Sequence, residues 1–257
     1  MDGKAIREQQ EFYVVKSNEL IQKARYNLTV QQQKLVLYCI SKIRMNDSSD
    51  TLYEFSIDEV CSVLNLPLDE GGTYYRRLKE DFIKLTSRSW VTFPDKSEGT
   101  FSWFSDAYVI PLSGTVQVRF HEKMAPYLFE LKNRYTQYQL YEVLVFKNKY
   151  AIRLYEIIRS FIMQDELRKG TVKDITFSVD ELRELLVAPQ YKRWVDFNRF
   201  VLKPAVDEIN KLSDIIRLEY QPYKNHTRNY EKLLFTVSYP TLMEKFVAHD
   251  EQRKRLS

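Results

Sequence analysis

Glycine is scarce. The chain of 257 residues holds only 6, about 2% against roughly 7% in an ordinary protein. Phosphate-cradling loops need glycine, and no G-x-x-x-x-G-K run occurs that would bind a nucleoside triphosphate in that way. Histidine is nearly absent as well. His121, His226 and His249 are far apart, so metal-ligand spacing is missing, as is the His-x-His pair that a DNA-nicking enzyme needs. There is no Asp-x-Asp pair for a two-metal site and no G-x-S-x-G nucleophile elbow. The expectation is a protein that works by binding: not an enzyme, and without cofactor or metal. The two cysteines, Cys39 and Cys61, sit in apolar helical patterns and read as buried free thiols, which fits a reducing cytoplasm better than secretion. The longest apolar runs, such as Leu35 to Ile40, are too short to span a bilayer. The opening Met-Asp-Gly-Lys is followed by polar residues, with no apolar signal core.

What is present is balanced and foldable. Apolar residues make up 44% and charged residues 29%, with 39 basic against 35 acidic side chains and a net charge of +4. Such a balance can bury a core and is not that of a disordered chain. Any affinity for nucleic acid must then come from local patches. The length allows one or two domains.

The apolar periodicity alternates between helix and strand. Asn18 is placed to cap a short helix. Thr29 caps a second helix with Leu35, Val36, Cys39, Ile40 and Ile43 on one face. Tyr53 to Phe55 reads as a strand, and Ser56 with Glu59 as the capping box of a further helix. Residues 67–72 break that helix. Thr73 then starts another, with Leu78, Phe82 and Leu85 inward. From Trp90 the period changes to two, giving a hairpin of Trp90 to Phe93 with Phe101 to Ile110, and then a strand from Val116 to Phe120. Strand, helix, turn, helix and hairpin in this order describe a helix-turn-helix bearing a β-wing.

The second half repeats the plan. A helix is expected from Asn148 to Met163, a strand from Val172 to Phe177, and a helix capped by Ser178. A longer helix follows from Trp194 to Leu212, and then a hairpin of Ile215 to Tyr220 with Lys232 to Tyr239. The halves also match in sequence. Phe55-Ser-Ile-Asp-Glu-Val60 aligns with Phe177-Ser-Val-Asp-Glu-Leu182, while Leu78, Phe82 and Leu85 align with Leu202, Val206 and Ile209. Leu37-Tyr38 and Leu154-Tyr155 hold similar places in the preceding helices. Matches in one order argue for tandem duplication. The fold class is therefore α+β, two tandem winged-helix domains related by internal duplication, spanning residues 1–132 and 133–257.

In a helix-turn-helix the second helix enters the major groove. Residues 73–88 carry Arg76, Arg77, Lys79, Lys84 and Arg88 against Glu80 and Asp81. Residues 191–203 carry Lys192, Arg193, Arg199 and Lys203 against Asp196. Each stretch is +3, although the whole chain is only +4. Arginine pairs bidentately with guanine O6 and N7, and aspartate accepts from cytosine N4. Arg193, Asp196 and Arg199 are three apart and share a helical face. Tyr74, Tyr75 and Asn198 are candidates for phosphate or base contact, and Lys224 and Arg228 at the second wing tip for backbone contact. Two tandem readers on successive turns predict a site of about two turns, with readers roughly 10–10.5 bp apart. Winged helices also serve as protein-docking modules, so three readings stand: an origin-binding protein, a tandem winged-helix transcriptional repressor without a replication role, and an interaction scaffold. Direct repeats beside an AT-rich segment favour the first. A lone operator favours the second, and absence of DNA affinity leaves the third.

Three stretches carry a family likeness. They are Val14-Val-Lys-Ser-Asn-Glu-Leu-Ile21 with Leu28-Thr-Val-Gln-Gln-Gln-Lys-Leu35, then Tyr150-Ala-Ile-Arg-Leu-Tyr-Glu156, and then Asp196 to Asn210. On these, nearly the whole chain resembles the iteron-binding Rep initiators of theta-replicating plasmids. The resemblance implies binding of double-stranded DNA at directly repeated origin sites, and recruitment of the host helicase and initiator proteins. It also implies a monomer that initiates and a dimer that represses its own gene at an operator. Residues 1–132 would bind DNA and dimerise, while residues 133–257 would be the main sequence reader. Carried onto this chain, the base-reading positions are Arg193, Asp196 and Arg199. Pro204 lies inside the matched helix and should bend or loosen the turn before it.

Overall fold

The computed structural model describes residues 3–66, 73–87, 91–93, 100–110, 113–162, 167–226 and 228–256. The chain divides into two compact units, Met1–Leu144 and Val145–Ser257. The division falls after Leu144 rather than at the expected 132/133. Strand β7 (Tyr135–Gln139) pairs antiparallel with β1 (Tyr13–Ser17), with Val14 opposite Tyr138 and Val15 opposite Gln137. That pairing keeps residues 135–139 in the first unit.

In the first unit, helix α2 (Asn18–Lys23) is capped one residue earlier than expected. Ser17 Oγ accepts from the Leu20 N–H at 3.1 Å. Asn18 Oδ1 accepts instead from the Thr136 hydroxyl at 2.7 Å, which ties α2 to β7. Helix α3 (Val30–Ser41) opens with a complete capping box. Thr29 Oγ1 accepts from the Gln32 N–H at 3.2 Å, and Gln32 Oε1 accepts from the Thr29 N–H at 3.1 Å. Leu35 through Ile40 are buried without a break, so α3 is a central core helix rather than a one-faced surface helix.

Strand β2 (Tyr53–Ser56) leads into α4 (Ile57–Val63). The expected capping box is not made here. Ser56 has extended N-cap geometry, but its side chain makes no cap bond. Glu59 accepts instead from the Tyr38 hydroxyl at 2.6 Å and from Lys42 Nζ at 3.0 Å. Burial works to raise its carboxyl pKa, and these hydrogen bonds outweigh burial and lower it. A cation and a phenol at the core edge bind the carboxylate better than one backbone N–H does. Helix α5 (Thr73–Ser87) buries Leu78, Phe82 and Leu85 as expected.

The wing departs from the expected hairpin. Val91–Thr92 (β3) pairs with Thr100–Phe101 (β4) as a separate ribbon. Phe104–Ile110 (β5) pairs with Thr115–Phe120 (β6) in a sheet of order β2-β6-β5. Ser102, Trp103 and Phe104 are buried in succession, which a single alternating strand cannot do, so the chain bends between β4 and β5. Trp90 and the turn at 94–99 lie outside the described residues. Within β6, Val116, Val118 and Phe120 alternate inward.

In the second unit, Asn148 Oδ1 accepts from the Tyr150 N–H at 2.8 Å to cap α8 (Lys149–Arg159). The helix ends before Met163, which is outside the described residues. Glu208 accepts from the N–H groups of Lys147 and Asn148 at 3.1 and 3.0 Å, and from Arg255 at 2.6 Å. Strand β8 (Lys173–Ser178) leads to α9 (Val179–Leu185), where Ser178 Oγ does cap, accepting from the Glu181 N–H at 3.0 Å. Next come α10 (Trp194–Phe197), a π-helical turn (Asn198–Leu202) and α11 (Lys203–Leu212). Strands β9 (Arg217–Lys224) and β10 (Tyr230–Ser238) complete a sheet of order β8-β10-β9. Phe235 is fully buried in it, with ring centroids 5.9 Å from Phe177 and 6.0 Å from Tyr220. A final helix, α12 (Leu242–Leu256), has no counterpart in the sequence reading.

The duplication is visible in the backbone. In both sheets the first strand pairs with the third, and the second flanks the other side. Both first helices of the helix-turn-helix end on a residue with positive φ, Asn65 at 51° and Val187 at 49°. The Leu66 N–H then closes on Cys61 O at 2.8 Å, and the Ala188 N–H closes on Arg183 O at 3.0 Å. This is the same C-capping loop made twice. Each unit is a winged helix. Among the described residues no helix is long and apolar enough to cross a membrane.

Candidate nucleic-acid interface

In the first unit, Arg76, Arg77 and Lys79 are exposed on α5, off the face that buries Leu78, Phe82 and Leu85. Lys84 lies 4.0 Å from Glu80, one turn back, which offsets part of the positive charge on this helix. Arg88 and the side chain of Tyr74 lie outside the described residues. The Tyr75 hydroxyl is buried and has no hydrogen-bond partner among the described residues. It faces inward and does not present itself to DNA, contrary to expectation.

In the second unit, the candidate cluster gathers at the start of the long helix. Arg193 occupies the N-cap position with extended backbone, so its side chain stands at the mouth of the helix. Its guanidinium is bidentate on Asp196, with Nε to Oδ2 at 2.7 Å and Nη2 to Oδ1 at 3.0 Å. These bonds hold the Asp196 carboxyl below the usual carboxylate range against the opposing desolvation, with help from the charges of Arg193 and Arg199. Arg193 is raised by the same bond. Arg199 is exposed, its guanidinium carbon 5.2 Å from the Phe200 ring centre, and Phe200 stacks on Tyr191 at 5.7 Å. The structure therefore brings Arg193, Asp196 and Arg199 together as one exposed charged cluster.

The other residues divide. Lys192 is exposed beside Arg193. Lys203 is exposed and pairs with Asp207 at 2.8 Å. Asn198 is half-buried and accepts from the Tyr220 hydroxyl at 2.6 Å, so its carbonyl oxygen fastens the helix to strand β9. On the wing, Lys224 and Arg228 are exposed. Lys224 Nζ sits 4.8 Å from the Tyr230 ring centre, and Tyr230 lies 4.9 Å from Trp194 at the helix start. This aromatic clasp between wing and helix escaped a reading confined to charges. Its signal is the helical spacing of Trp194, which falls on the face of the buried Phe197, Val201 and Ala205.

The π turn answers the proline. Pro204 cannot donate a backbone hydrogen bond, and its ring crowds the carbonyl four residues earlier. The Lys203 N–H reaches back five residues, to Asn198 O. The helix is widened at that turn and resumes its α form from Lys203 without breaking.

Two winged helices, each with exposed basic residues on its second helix, call for comparison with known proteins. A model of the initiator replication protein domain WH1 matches residues 13–159, more than half of the chain. A model of the initiator Rep protein domain WH2 matches residues 178–237. The chain belongs to the initiator Rep protein family. Its relatives include a replication initiation protein of Escherichia coli, 28% identical over 212 residues, an alignment covering 80% of this chain and 64% of that protein. The PI protein of Escherichia coli is 28% identical over 192 residues, which covers 65% of this chain and 61% of that one. This Rep chain thus spans a little under two thirds of the length of both. A crystal structure of the Pi initiator protein in complex with iteron DNA matches with a TM-score of 0.72 at 18% identity, covering 90% of this chain and 98% of the other. That likeness establishes the shared fold.

Proposed function

We propose that this chain is a plasmid replication initiator of the cytoplasm that binds directly repeated origin sites, iterons, in double-stranded DNA. The observation that carries the reading is the exposed Arg193–Asp196–Arg199 cluster at the N-terminal end of a winged-helix recognition helix. Groove-reading helices present their base-contacting side chains there. Family membership supports the same reading, as does the iteron DNA bound by the Pi initiator. The protein works by binding energy alone, with no catalysis and no cofactor. Contacts made on bent or opened DNA offset part of the cost of deforming it. As a monomer it helps open the origin and recruits the host helicase and initiator proteins. As a dimer, formed through the N-terminal unit, it represses its own gene.

The test is footprinting of the full chain on the DNA flanking its gene. Protection of several head-to-tail repeats, each of about two turns, is the expected result. Protection of a lone operator with no repeats would favour the repressor, and no protection even at low salt would defeat both. Sedimentation of residues 145–257 tests the dimer: that unit should stay monomeric where the full chain dimerises.

A further inference from the structure

Val195 is two-thirds exposed, at 66%, in the first turn of the recognition helix. Neither burial nor helix propensity accounts for it, because valine is β-branched and a weak helix former. The helix packs inward through Phe197, Val201 and Leu202, all fully buried. Val195 lies between Arg193 and Asp196 in sequence and four residues before Arg199, one turn away from Arg199 on the same helix face. Phe200, the other exposed apolar side chain of this helix, is engaged by Tyr191 and Arg199. Val195 has no such partner among the described residues, and its side chain is open to solvent.

The chemistry of the cluster has a gap that Val195 fills. Arginine suits the acceptors of guanine, and aspartate suits the amino group of cytosine. Thymine also presents a 5-methyl group in the major groove, which an apolar contact recognises and neither arginine nor aspartate supplies. We propose that Val195 is a specificity-determining residue that packs against the 5-methyl group of one thymine, beside the base pairs met by Arg193, Asp196 and Arg199. The inference rests on the DNA-reading role proposed above.

The experiment starts with a duplex of two turns, selected by the full chain from a random-sequence pool. Each thymine of the selected site is replaced singly by deoxyuridine, which removes the methyl group and nothing else. Wild type should lose about fourfold in affinity at one position, the worth of one buried methyl group. Val195→Ala should bind the thymine and deoxyuridine duplexes alike at that position. Because the side chain is exposed, the substitution leaves the core intact, and a role confined to folding would not move the thymine-to-deoxyuridine ratio. Tight selective binding by wild type with no sensitive thymine would overturn the inference and leave the DNA-reading role standing. A sensitive position that stays equally sensitive in Val195→Ala would overturn it too, since another residue then reads the methyl. Failure of the selection to yield any preferred sequence would defeat the DNA-reading role itself.

Discussion

Arg193 and Arg199 carry the same charge in unlike settings, and substitution should separate them. Arg193 is tied bidentately to Asp196, whereas Arg199 forms no ion pair among the described residues and rests on an aromatic face. Arg199→Ala should cost about 1–3 kcal/mol on the selected site and much less on random duplex, read by competitive anisotropy. Equal losses on both would reduce Arg199 to a phosphate contact. Arg193→Ala leaves Asp196 unpaired before a polyanion, so it should weaken binding to both duplexes. The cysteines make a prediction about pH. Burial pushes the Cys61 thiol up to about 11 and moves Cys39 higher still, with Lys42 opposing. An unfolded thiol ionises near roughly 8.5. Each thiol therefore favours the fold below that pH, and the contribution is lost as pH climbs toward the folded value. At pH 8 a thiol reagent should label neither cysteine in the native protein and both in denaturant. Rapid native labelling would contradict their burial.

At the scale of elements, two hydroxyl residues in N-cap positions look alike in sequence and differ in the structure. Thr29→Ala should cost about 1 kcal/mol of stability, because its capping box is closed. Ser56→Ala should be close to neutral in the same denaturation experiment, because that side chain caps nothing. Val187→Gly should stabilise by about 1 kcal/mol, since a β-branched residue is held there at φ 49°. Asn65→Gly should gain less, because asparagine tolerates that region better. The core faces of α5 and of the Trp194–Leu212 helix, the strand alternation of β6 and the duplicated plan were legible because each is written in local periodicity. Three features were not. The β1–β7 pairing joins strands more than a hundred residues apart, and nothing in Tyr135 to Gln139 names its partner. Glu59 has the spacing of a capping residue, but its partners come from another helix. Helix α12 docks through Ala248, through Gln252 on Leu212 O at 2.7 Å, and through the pairs Lys211–Glu251 at 2.9 Å, Arg217–Glu244 at 3.3 Å and Arg255–Glu208 at 2.6 Å. Its large apolar residues, Leu242, Met243 and Phe246, face outward, so the usual apolar stripe toward a core is missing. At the candidate site, the charges in the sequence named Arg193 and Arg199, whereas Val195 stands out only by its exposure and Trp194 by its ring contact with Tyr230.

For the whole molecule, the near balance of 39 basic and 35 acidic side chains makes DNA affinity a matter of where charge is placed. Both units carry exposed cations on their second helix, so phosphate contacts should come from both. With roughly six to ten phosphates neutralised, affinity for the two-turn site should fall by about 10³–10⁵ between about 50 and 200 mM salt. The share of each unit can be read from the slope of log affinity against log salt. Replacing Arg76, Arg77 and Lys79 together by glutamine removes three exposed charges from the first unit. Folding should be unaffected, because the side chains that α5 buries are Leu78, Phe82 and Leu85. The slope should become shallower by about three, close to one for each lost phosphate contact, while the preferred sequence stays the same. Arg199→Ala should do the reverse, changing sequence preference and shifting the slope by about one or less. A triple variant with an unaltered slope would remove the first unit from the interface and leave the second as the sole reader, with a footprint of about one turn rather than two.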